Sequence, residues 1–337
     1  MPLAMAIERF GLGNLRPDYR PAERLGPGLV RIALKAVSLN YRDVLVLRGT
    51  YDEGLSVPLI PCSDGAGVVL EVGADVPDLK AGDRICTHMV PDWQDGRLEP
   101  RMRSTTLGGP AQGVLCEERV LPSSAVLPIP ATLSFEEAAC LPVAGLTAWC
   151  ALARSAALAR GNRVLLLGTG GVSTLALQIA KRLGAHVAVT SSSDAKLARV
   201  QALGADFTAN YHRDPWADMV REWSGGGVDV VLETGGPGTL SQSLRATRDG
   251  GTVVLLGVLA SRARPTDLTD VLLRQIRIQG IFVGSRTELE RCVAFVASNG
   301  IHPVIDRVFE RITAARHAFA HLVTGRHLGK VVIGVSA

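Results

Sequence analysis

The residues best suited to chemistry form a glycine-rich turn in the middle of the chain. An apolar run, Val164–Leu167, leads into this turn, a helical pattern begins near Val172, and Ser173 stands where the usual fingerprint has its third glycine. Gly168 would permit a tight turn. Gly170 would let a pyrophosphate approach the helix N-terminus, where free N–H groups and the helix dipole favour anions. The pattern predicts a dinucleotide-binding site, with contacts from Gly168, Thr169, Gly170, Gly171 and Val172.

The residues after the second strand of this region bear on which dinucleotide is bound. An NAD site places an acid there, about 20 residues beyond the glycines, against the ribose 2′-OH. This chain has the hydroxyl run Thr190–Ser193 instead, and its first acid is Asp194 at the start of the next helix. Hydroxyls and a lysine suit a 2′-phosphate, with Arg199 as a further candidate, so we predict NADP(H). The predicted contacts are Ser191, Ser192 and Lys196. Alternatively, Ser193 is only a helix N-cap and Lys196 a solvated first-turn residue.

Length and composition indicate an ordinary globular protein. At 337 residues the chain exceeds the size of one hydrophobic core, so two domains are expected. The N-terminus lacks a basic segment followed by an apolar stretch, and the longest apolar runs are strand-sized, so neither a signal peptide nor a membrane span is expected. The net charge of +4 comes from scattered basic residues, which argues against nucleic-acid binding. The six cysteines form no CxxC pair, so we expect reduced thiols in a soluble cytoplasmic protein.

The middle of the chain alternates strands with helices, which include the segments 172–183 and 195–203. The strand candidates are continuous apolar runs, as is typical of a parallel sheet covered on both faces. They are Val164–Leu167, Val187–Thr190, Phe207–Tyr211, Val228–Glu233, Thr252–Gly257 and Ile278–Val283. Six such strands with crossover helices predict a doubly wound dinucleotide-binding domain.

The parts that flank this alternation have a different pattern. Up to about residue 141, short apolar runs separated by Gly, Pro and Asp predict a β-rich domain. The polar segment 93–113 predicts a long loop, in which Trp93 either walls a cleft or lies on the surface. A capping box beginning at Ser134 opens a helix. After the last strand, a helix capped at Ser285 and two strands flanking another helix break the alternation, so this tail is expected to return to the first domain.

Several further segments, together with the glycine turn, carry a resemblance to a known family. They are Ser38–Asp43, Asp64–Gly67, Gly82–Arg84 and Ala144–Ala148. Over nearly its whole length the chain resembles the medium-chain dehydrogenase/reductase superfamily, especially its zinc-free quinone-reductase and enone-reductase branches. The resemblance implies an α/β fold in which a Rossmann domain is inserted into a GroES-like β-rich catalytic domain. The implied bounds are 1–144 and 283–337 for the GroES-like domain and 145–282 for the Rossmann domain.

This sequence departs from the family at the positions that bind zinc in zinc-dependent members. Those members place a Cys where this chain has Asn40, a His where it has Ser63, and commonly a third Cys where it has Val143. An amide, a hydroxyl and an isopropyl group do not make the three-ligand site that catalytic zinc needs. The lobe that holds structural zinc corresponds to the segment 93–113, which contains no cysteine. We therefore predict that the protein binds no metal.

The resemblance also implies roles for single residues. In zinc-free relatives the positions matching Asn40 and Tyr51 lie beside the nicotinamide. Asn40 would position a carbonyl or carboxamide, and Tyr51 would donate a hydrogen bond or a proton, unless it is only an aromatic side chain packed on the cleft. Thr147 would open the helix that contacts the cofactor, and Lys330 would contact the pyrophosphate. The remaining implied cofactor contacts are the strand-end residues Gly257 and Val283.

Without a metal to polarise a carbonyl, alcohol oxidation lacks its usual electrophile. Conjugate reduction needs only hydride, hydrogen-bond donors and a proton. We therefore expect an NADP(H)-dependent, metal-free reductase of quinones or α,β-unsaturated carbonyl compounds. The alternatives are an NADP-dependent alcohol dehydrogenase and a catalytically weak NADPH-binding sensor or structural protein. The resemblance also implies a homodimer, in which the apolar segment Ile281–Val283 pairs across the two-fold axis.

Overall fold

The computed structural model describes residues 1–260 and 267–335. The chain divides into two compact units, one formed by Met1–Leu146 with Ser285–Ala337 and the other by Thr147–Gly284. The expected junctions after residues 144 and 282 each lie two residues before these boundaries. The first unit is thus built from both ends of the chain, and the second is one continuous segment.

The chain up to the first junction is mostly β-structure. Its strands are β1 (Leu3–Ala6), β2 (Arg16–Tyr19), β3 (Leu29–Leu39), β4 (Asp64–Val72), β5 (Arg84–Thr87), β6 (Glu118–Pro122) and β7 (Val126–Pro128). Its helices are α1 (Tyr41–Arg48) and α2 (Phe135–Ala139), with short 3-10 turns at Leu12–Asn14, Pro100–Thr105 and Ser123–Ala125. Two π-type turns, Leu141–Gly145 and Cys150–Ser155, flank α3 (Leu146–Trp149).

The remaining elements follow in order along the chain. The second unit contains β8 (Arg163–Leu167), α4 (Gly171–Arg182), β9 (His186–Ser191), α5 (Asp194–Ala202), β10 (Phe207–Asn210), α6 (Trp216–Trp223), β11 (Val228–Glu233), α7 (Leu240–Ala246), β12 (Thr247–Leu255), α8 (Thr269–Leu273) and β13 (Arg277–Gly280). The return segment contains α9 (Arg286–Ser298), β14 (Ile305–Phe309), α10 (Ala315–Val323) and β15 (Lys330–Gly334).

The main sheet of the first unit joins strands from both ends of the sequence. Its order is β14-β15-β3-β4-β5-β7, and β6 also pairs with β3. β15 runs antiparallel to β3, with Val331 opposite Leu39, so the return segment lies beside the strand that ends just before Asn40. Buried aliphatic side chains of β1, β3, α1 and α10 form one hydrophobic core beneath the sheet.

The second unit contains a parallel sheet in the order β10-β9-β8-β11-β12-β13, so the predicted doubly wound domain is confirmed. The central strand β8 has a continuous apolar run because helices cover both faces of the sheet: Val164, Leu165 and Leu166 are fully buried. The two helices predicted for 172–183 and 195–203 correspond to α4 and α5, each shifted by one residue.

The last predicted strand of this sheet, Ile278–Val283, is wrong in extent. β13 ends at Gly280 and its residues are exposed, because an edge strand has only one neighbour. Ile281 N still donates to Leu255 O (3.0 Å), but the chain then leaves the sheet and Val283 becomes buried.

Two local predictions in the first unit have different outcomes. The capping box at Ser134 is confirmed, because Ser134 Oγ accepts from Glu137 N (3.2 Å) and Glu137 Oε2 accepts from Ser134 N (2.8 Å). The segment 93–113 contains a 3-10 turn at Pro100–Thr105, so it is not structureless. Trp93 is only 4% exposed and its Nε1 donates to Gly96 O (3.1 Å), so the interpretation of Trp93 as a surface residue is wrong.

Candidate cofactor and active sites

The glycine turn of the second unit has an open, uncapped helix N-terminus. Gly168, directly after β8, has φ +76°, a left-handed conformation that favours glycine. A Cβ added at Gly168 or Gly170 would meet no described atom within 4 Å. Gly170 is the N-cap of α4 and provides no side-chain cap, so the helix end is left for an anion. Ser173 Oγ donates to Leu167 O (2.9 Å), which ties the helix to the strand where the fingerprint usually has glycine.

The residues predicted to contact a 2′-phosphate lie at or just after the carboxyl end of β9, at the same edge of the parallel sheet as the glycine turn. Ser191 ends β9 and is buried, while Ser192 is exposed and Lys196 is half-buried in the first turn of α5. Ser193 is the N-cap of α5, and its Oγ accepts from Lys196 N (3.5 Å). Ser193 is therefore the N-cap of α5, as the alternative interpretation expected. This bond uses only the backbone N of Lys196, so it does not decide what the Lys196 ammonium group contacts.

The acid beside this hydroxyl run has partners that the sequence reasoning missed. Asp194 accepts from Asn210 Nδ2 (3.0 Å) and from the Arg213 guanidinium (2.7 Å). These bonds, first from Asn210 and then from Arg213, lower the pKa of Asp194. Asn210 ends β10, the strand next to β9, so the turn that carries Arg213 follows at the same sheet edge. The order of the strands could have pointed to Arg213, because β10 lies next to β9 and the residues that follow the two strands are therefore neighbours.

A buried acid organises the loop after β11, and it too was missed. Glu233 is fully buried, and its Oε1 accepts from Gly235 N (2.6 Å), Gly236 N (2.9 Å) and Thr239 Oγ1 (2.6 Å). Its Oε2 accepts from Ser243 Oγ. These bonds satisfy the carboxylate, so Glu233 has a structural role in shaping the edge of the sheet that carries the glycine turn.

Three remaining cofactor predictions fall at distinct places in the second unit. Gly257 follows β12, and a Cβ there would lie 2.9 Å from Thr234 O, so a side chain would clash with the backbone. Val283 is buried beyond β13. Thr147 is buried inside α3, within a helical segment that already begins at Leu141. The expectation that Thr147 opens its helix is therefore wrong, because π-type turns extend the helix on both sides.

In the first unit, Asn40 stands at the junction between a strand and a helix. It follows β3 with an extended backbone (φ −123°, ψ 156°) and is the N-cap of α1. Its backbone N donates to Asp43 Oδ2 (2.8 Å), which gives Asp43 the structural role of holding the start of the helix. Asn40 is 9% exposed, so its amide group is largely removed from water.

Lys330, expected as a pyrophosphate contact, extends its ammonium group to the amide of Asn40. Lys330 Nζ donates to Asn40 Oδ1 (2.6 Å) and to Leu39 O (2.7 Å), and Lys330 is 3% exposed. Asn40 Nδ2 is buried and has no partner within hydrogen-bond distance among the described residues, but the Asn40 side chain lies close enough to Asp64 to lower the pKa of that acid. A pyrophosphate contact by Lys330 stays a prediction. The structure adds that Lys330 and Asn40 belong to one cluster.

The other two positions that carry zinc ligands in relatives contact a buried acid instead. Ser63 Oγ donates to Asp64 Oδ1 (2.7 Å), and Val143 N donates to Asp64 Oδ2 (3.2 Å). Burial raises the pKa of Asp64, and the positive charge of Lys330 is the largest opposing influence. The cluster thus pairs one buried acid with one buried base, and sequence reasoning did not identify Asp64 as part of it.

Tyr51 lies against a buried arginine that sequence reasoning also missed. The Arg42 guanidinium carbon is 4.6 Å from the centre of the Tyr51 ring, a cation–π contact. Arg42 also donates to Asp43 Oδ1 (3.1 Å), Leu107 O (3.2 Å) and Gly109 O (3.0 Å). Burial raises the pKa of Asp43 to about 6, and Arg42 opposes that rise. Asn40 and Tyr51 are therefore connected through Asp43 and Arg42.

The backbone just before Ser63 is strained. Cys62 has φ +69°, a conformation that non-glycine residues rarely adopt and that often occurs at functional sites. Val114 N donates to Cys62 O (3.0 Å), and a Cβ at Gly113 would lie 2.2 Å from that oxygen. The surrounding chain thus holds Cys62 in place, and it positions Ser63 and Asp64.

The described ranges contain neither a metal-binding cluster nor a membrane-spanning helix. No group of three or more His, Cys, Asp or Glu residues in 1–260 and 267–335 is arranged to hold a metal ion. No helix in this part of the chain is long and apolar enough to cross a membrane. All six cysteines are buried, and none of them forms a disulfide bond.

Comparison with known protein families gives matches to both units. Residues 26–131 match the family model of the alcohol dehydrogenase GroES-like domain. Residues 171–298 match the family model described as zinc-binding dehydrogenase. The two matches correspond to the β-rich part and to the segment that begins at the glycine turn.

Whole-chain relatives carry both alcohol dehydrogenase and quinone oxidoreductase names. A zinc-type alcohol dehydrogenase-like protein of Schizosaccharomyces pombe is 40% identical over 337 residues, covering 97% of each chain. A quinone oxidoreductase-like protein 2 homolog of Nematostella vectensis is 28% identical over 98% of this chain and 88% of its own.

Solved structures with the same fold include both an NAD-dependent enzyme and an enzyme in complex with NADP. A Sinorhizobium meliloti protein with a provisional alcohol dehydrogenase name has a TM-score of 0.93 at 40% identity, over 99% of this chain and 98% of its own. An NAD-dependent alcohol dehydrogenase has a TM-score of 0.91 at 34% identity, over 99% of this chain and 100% of its own. The 2-octenoyl-CoA carboxylase reductase CinF, in complex with NADP and 2-octenoyl-CoA, has a TM-score of 0.88 at 26% identity, over 99% of this chain and 87% of its own.

Proposed function

This chain belongs to the medium-chain dehydrogenase/reductase superfamily, and from that premise we propose that it is an NADPH-dependent, zinc-independent reductase of α,β-unsaturated carbonyl compounds or quinones. The observation that carries this proposal is the buried Asn40 amide, whose Oδ1 is bonded by Lys330 while Nδ2 has no described partner within hydrogen-bond distance. A buried, unpartnered N–H donor beside a cation is suited to stabilise negative charge that develops on a substrate oxygen.

The second unit would hold the dinucleotide through its glycine turn. Gly168 and Gly170 leave space for a pyrophosphate at the N-terminus of α4, where N–H groups and the helix dipole favour anions. When bound, the reduced nicotinamide supplies hydride. Thr169, Gly171, Val172, Thr147, Gly257 and Val283 are the further contacts that we assign to the cofactor.

The preference for NADPH is supported by the hydroxyl run and by Lys196. Asp194, the acid nearest to the expected ribose position, already bonds Asn210 and Arg213, so it is poorly suited to bond a 2′-OH. Ser191, Ser192 and Lys196 supply the donors and positive charge that a 2′-phosphate requires. One solved relative is named as NAD-dependent and another was solved with NADP. Because relatives use either cofactor, measuring whether this protein prefers NADPH to NADH tests the proposal directly.

Zinc independence is supported by what the ligand positions do in this chain. Asn40 Oδ1 accepts from a buried ammonium, which would repel a dication, and the Ser63 hydroxyl donates to Asp64. Val143 offers only its backbone N–H, again to Asp64. These residues do not fit the ligand set of a catalytic zinc ion. A zinc-dependent alcohol oxidation is therefore the weaker candidate, although several relatives are named as alcohol dehydrogenases.

In the proposed reaction the chain stabilises charge and delivers a proton. Hydride adds to the β-carbon of the enone, the carbon–carbon π electrons move toward the carbonyl group to give an enolate, and a proton then adds to the α-carbon to complete the saturated product. Asn40 Nδ2 would bond that oxygen as its negative charge develops. Tyr51 would donate the proton or a second hydrogen bond, with its ring held on Arg42. CinF, whose complex holds an α,β-unsaturated thioester, gives a precedent within the fold.

We also propose a homodimer formed through the edge of the second unit's sheet. Because the described strand β13 ends at Gly280, pairing between copies would use 277–280 rather than Ile281–Val283. Leu272 is 77% exposed and Leu273 is 73% exposed, and both lie in α8 just before this edge. Light scattering should give twice the mass of one chain, and Leu272→Asp should shift it to the monomer.

The experiment that tests the reaction is an NADPH-consumption screen against simple quinones and enones, with primary alcohols plus NADP⁺ as the opposing panel. We expect turnover with the first panel and almost none with the second. Turnover confined to alcohols would support the alcohol dehydrogenase alternative. Tight NADPH binding without turnover of either panel would support a non-catalytic NADPH-binding protein.

A further inference from the structure

We propose that Lys330 is a positioning residue that orients the carboxamide of Asn40, so that Nδ2 rather than Oδ1 is the group that can donate a hydrogen bond to substrate. This inference rests on the proposed function, because it assigns the orientation of the donor that the proposed reduction uses. It follows from the contact between Lys330 Nζ and Asn40 Oδ1 at 2.6 Å.

A carboxamide without such a partner has two nearly isosteric orientations. One presents two N–H donors, and the other presents an oxygen that can only accept. A developing oxyanion is stabilised by the first orientation and repelled by the second. An ammonium group has three donors and no acceptor, so the group that faces Lys330 must be Oδ1. The bond is charge-assisted, and such bonds favour one arrangement by roughly ten- to a hundredfold.

Lys330 is itself held in place by the first unit. β15 lies antiparallel to β3 with Val331 opposite Leu39, which brings Lys330 next to Asn40. Leu39 O accepts a second bond from Nζ at 2.7 Å. Asp64, fully buried and bonded by Ser63 and Val143 N, supplies the compensating negative charge and also interacts with the Asn40 side chain. Lys330 is therefore a buried residue that two hydrogen bonds hold in place, and it is not a surface lysine.

The competing interpretation is that Lys330 only contacts the pyrophosphate. The two roles separate in a double-mutant cycle, because a positioning residue loses its effect when the group that it positions is absent. We expect Lys330→Met to lower kcat by roughly ten- to a hundredfold in the wild-type background and by less than about threefold in Asn40→Ala. The Kd of NADPH, measured by protein fluorescence, should change by less than about threefold in both. Lys80→Met, at an exposed lysine of the same unit, is the matched control.

Equal losses of kcat in both backgrounds, or a rise of more than about tenfold in the Kd of NADPH, would overturn the positioning role. Lys330→Met leaves Asp64 buried without its compensating charge, which can prevent folding. The same comparison is therefore repeated in an Asp64→Asn background, where both charges are removed together. Thermal unfolding of each variant shows that the compared proteins are folded.

A second measurement does not depend on turnover. The side-chain amide resonances of Asn40, assigned by their disappearance in Asn40→Asp, should shift in Lys330→Met and stay unchanged in Lys80→Met. If they do not move in Lys330→Met, Lys330 does not hold the amide and the inference is wrong. If they move as expected while wild-type protein reduces no quinone or enone, the proposed reaction fails but the positioning of Asn40 by Lys330 stands.

Discussion

Arg213 donates to Asp194 over 2.7 Å, and this pair neutralises the acid that begins the helix after the hydroxyl run. Both side chains are more than half exposed, at 62% and 61%. Exposed pairs of this kind contribute little to stability, so the pair matters mainly for the local potential that a bound 2′-phosphate would meet. An unpaired Asp194 would repel that phosphate.

The first prediction follows from this pair. Arg213→Ala should weaken NADPH binding by about two- to fivefold, because Asp194 then carries an uncompensated charge. NADH lacks the 2′-phosphate, so its binding should hardly change. Adding Asp194→Asn to Arg213→Ala should restore NADPH binding, as measured by fluorescence titration. If NADPH binding does not recover in the double variant, Arg213 acts in some other way.

The second prediction concerns Lys196. A lost charge-assisted hydrogen bond costs about 1.5–3 kcal/mol, and about 1.4 kcal/mol corresponds to a tenfold change in affinity. Lys196→Ala should therefore weaken NADPH binding by roughly ten- to a hundredfold and leave NADH nearly unchanged. Arg163→Ala is the control, because Arg163 begins β8 and lies at the end of that strand opposite the glycine turn. Equal losses for both cofactors would show that Lys196 does not recognise the 2′-phosphate.

The third prediction concerns metal content. Because Asn40 Oδ1 accepts from the Lys330 ammonium and Ser63 donates to Asp64, purified protein should contain well below one zinc per chain. Chelators should leave its activity and its thermal unfolding unchanged. Elemental analysis is the measurement, and stoichiometric zinc that chelators remove together with activity would contradict the proposal.

The fourth prediction separates the two catalytic candidates. Asn40→Ala removes a donor from the developing oxyanion, and losses of this kind typically lower turnover about a hundred- to a thousandfold. Tyr51→Phe keeps the ring on Arg42 and removes only the hydroxyl. If that hydroxyl is the acid, turnover should fall about a hundredfold or more. An unchanged rate in Tyr51→Phe would mean that the proton comes from solvent, and Tyr51 would then be only a packing residue.

The fifth prediction is a pH dependence of stability that arises from Asp43. Burial is the largest influence on the pKa of Asp43 and raises it to about 6 in the folded protein. Arg42 lowers the pKa, Asp64 raises it, and the backbone N of Asn40 and Lys330 both lower it. An unfolded Asp has a pKa of about 3.9, so between about pH 4 and 6 the folded chain retains a proton that the unfolded chain has lost. This contribution to stability is complete below about pH 4 and is lost as the pH rises through about 6.

The measurement is the free energy of unfolding of wild-type protein minus that of Asp43→Asn, across this pH range. The difference should fall as the pH rises from about 4 to 6, because only the wild type has the titrating group. A difference that rises over the same window would show that Arg42 keeps Asp43 ionised in the folded state.

Much of the second unit could be predicted because its signals are local. Continuous apolar runs of strand length followed by helical patterns indicate a buried parallel sheet, and the glycine turn stands between one strand and one helix. Each of these patterns needs only neighbouring residues. The same reasoning was wrong for 281–283, because apolar character alone does not show where an edge strand leaves its single neighbour.

The arrangement of the candidate active site was decided only by tertiary structure. Asn40 and Lys330 are 290 positions apart, and their contact exists because β15 pairs with β3. The stacking of Tyr51 on Arg42 and the pairing of Asp194 with Arg213 likewise depend on how turns and strands are placed, not on any spacing in the sequence. The sequence by itself determined which chemical groups are available, including an amide and a hydroxyl where relatives bind zinc. Which of their atoms are bonded and which stay free depends on long-range strand pairing, which places a buried cation beside one oxygen of one amide.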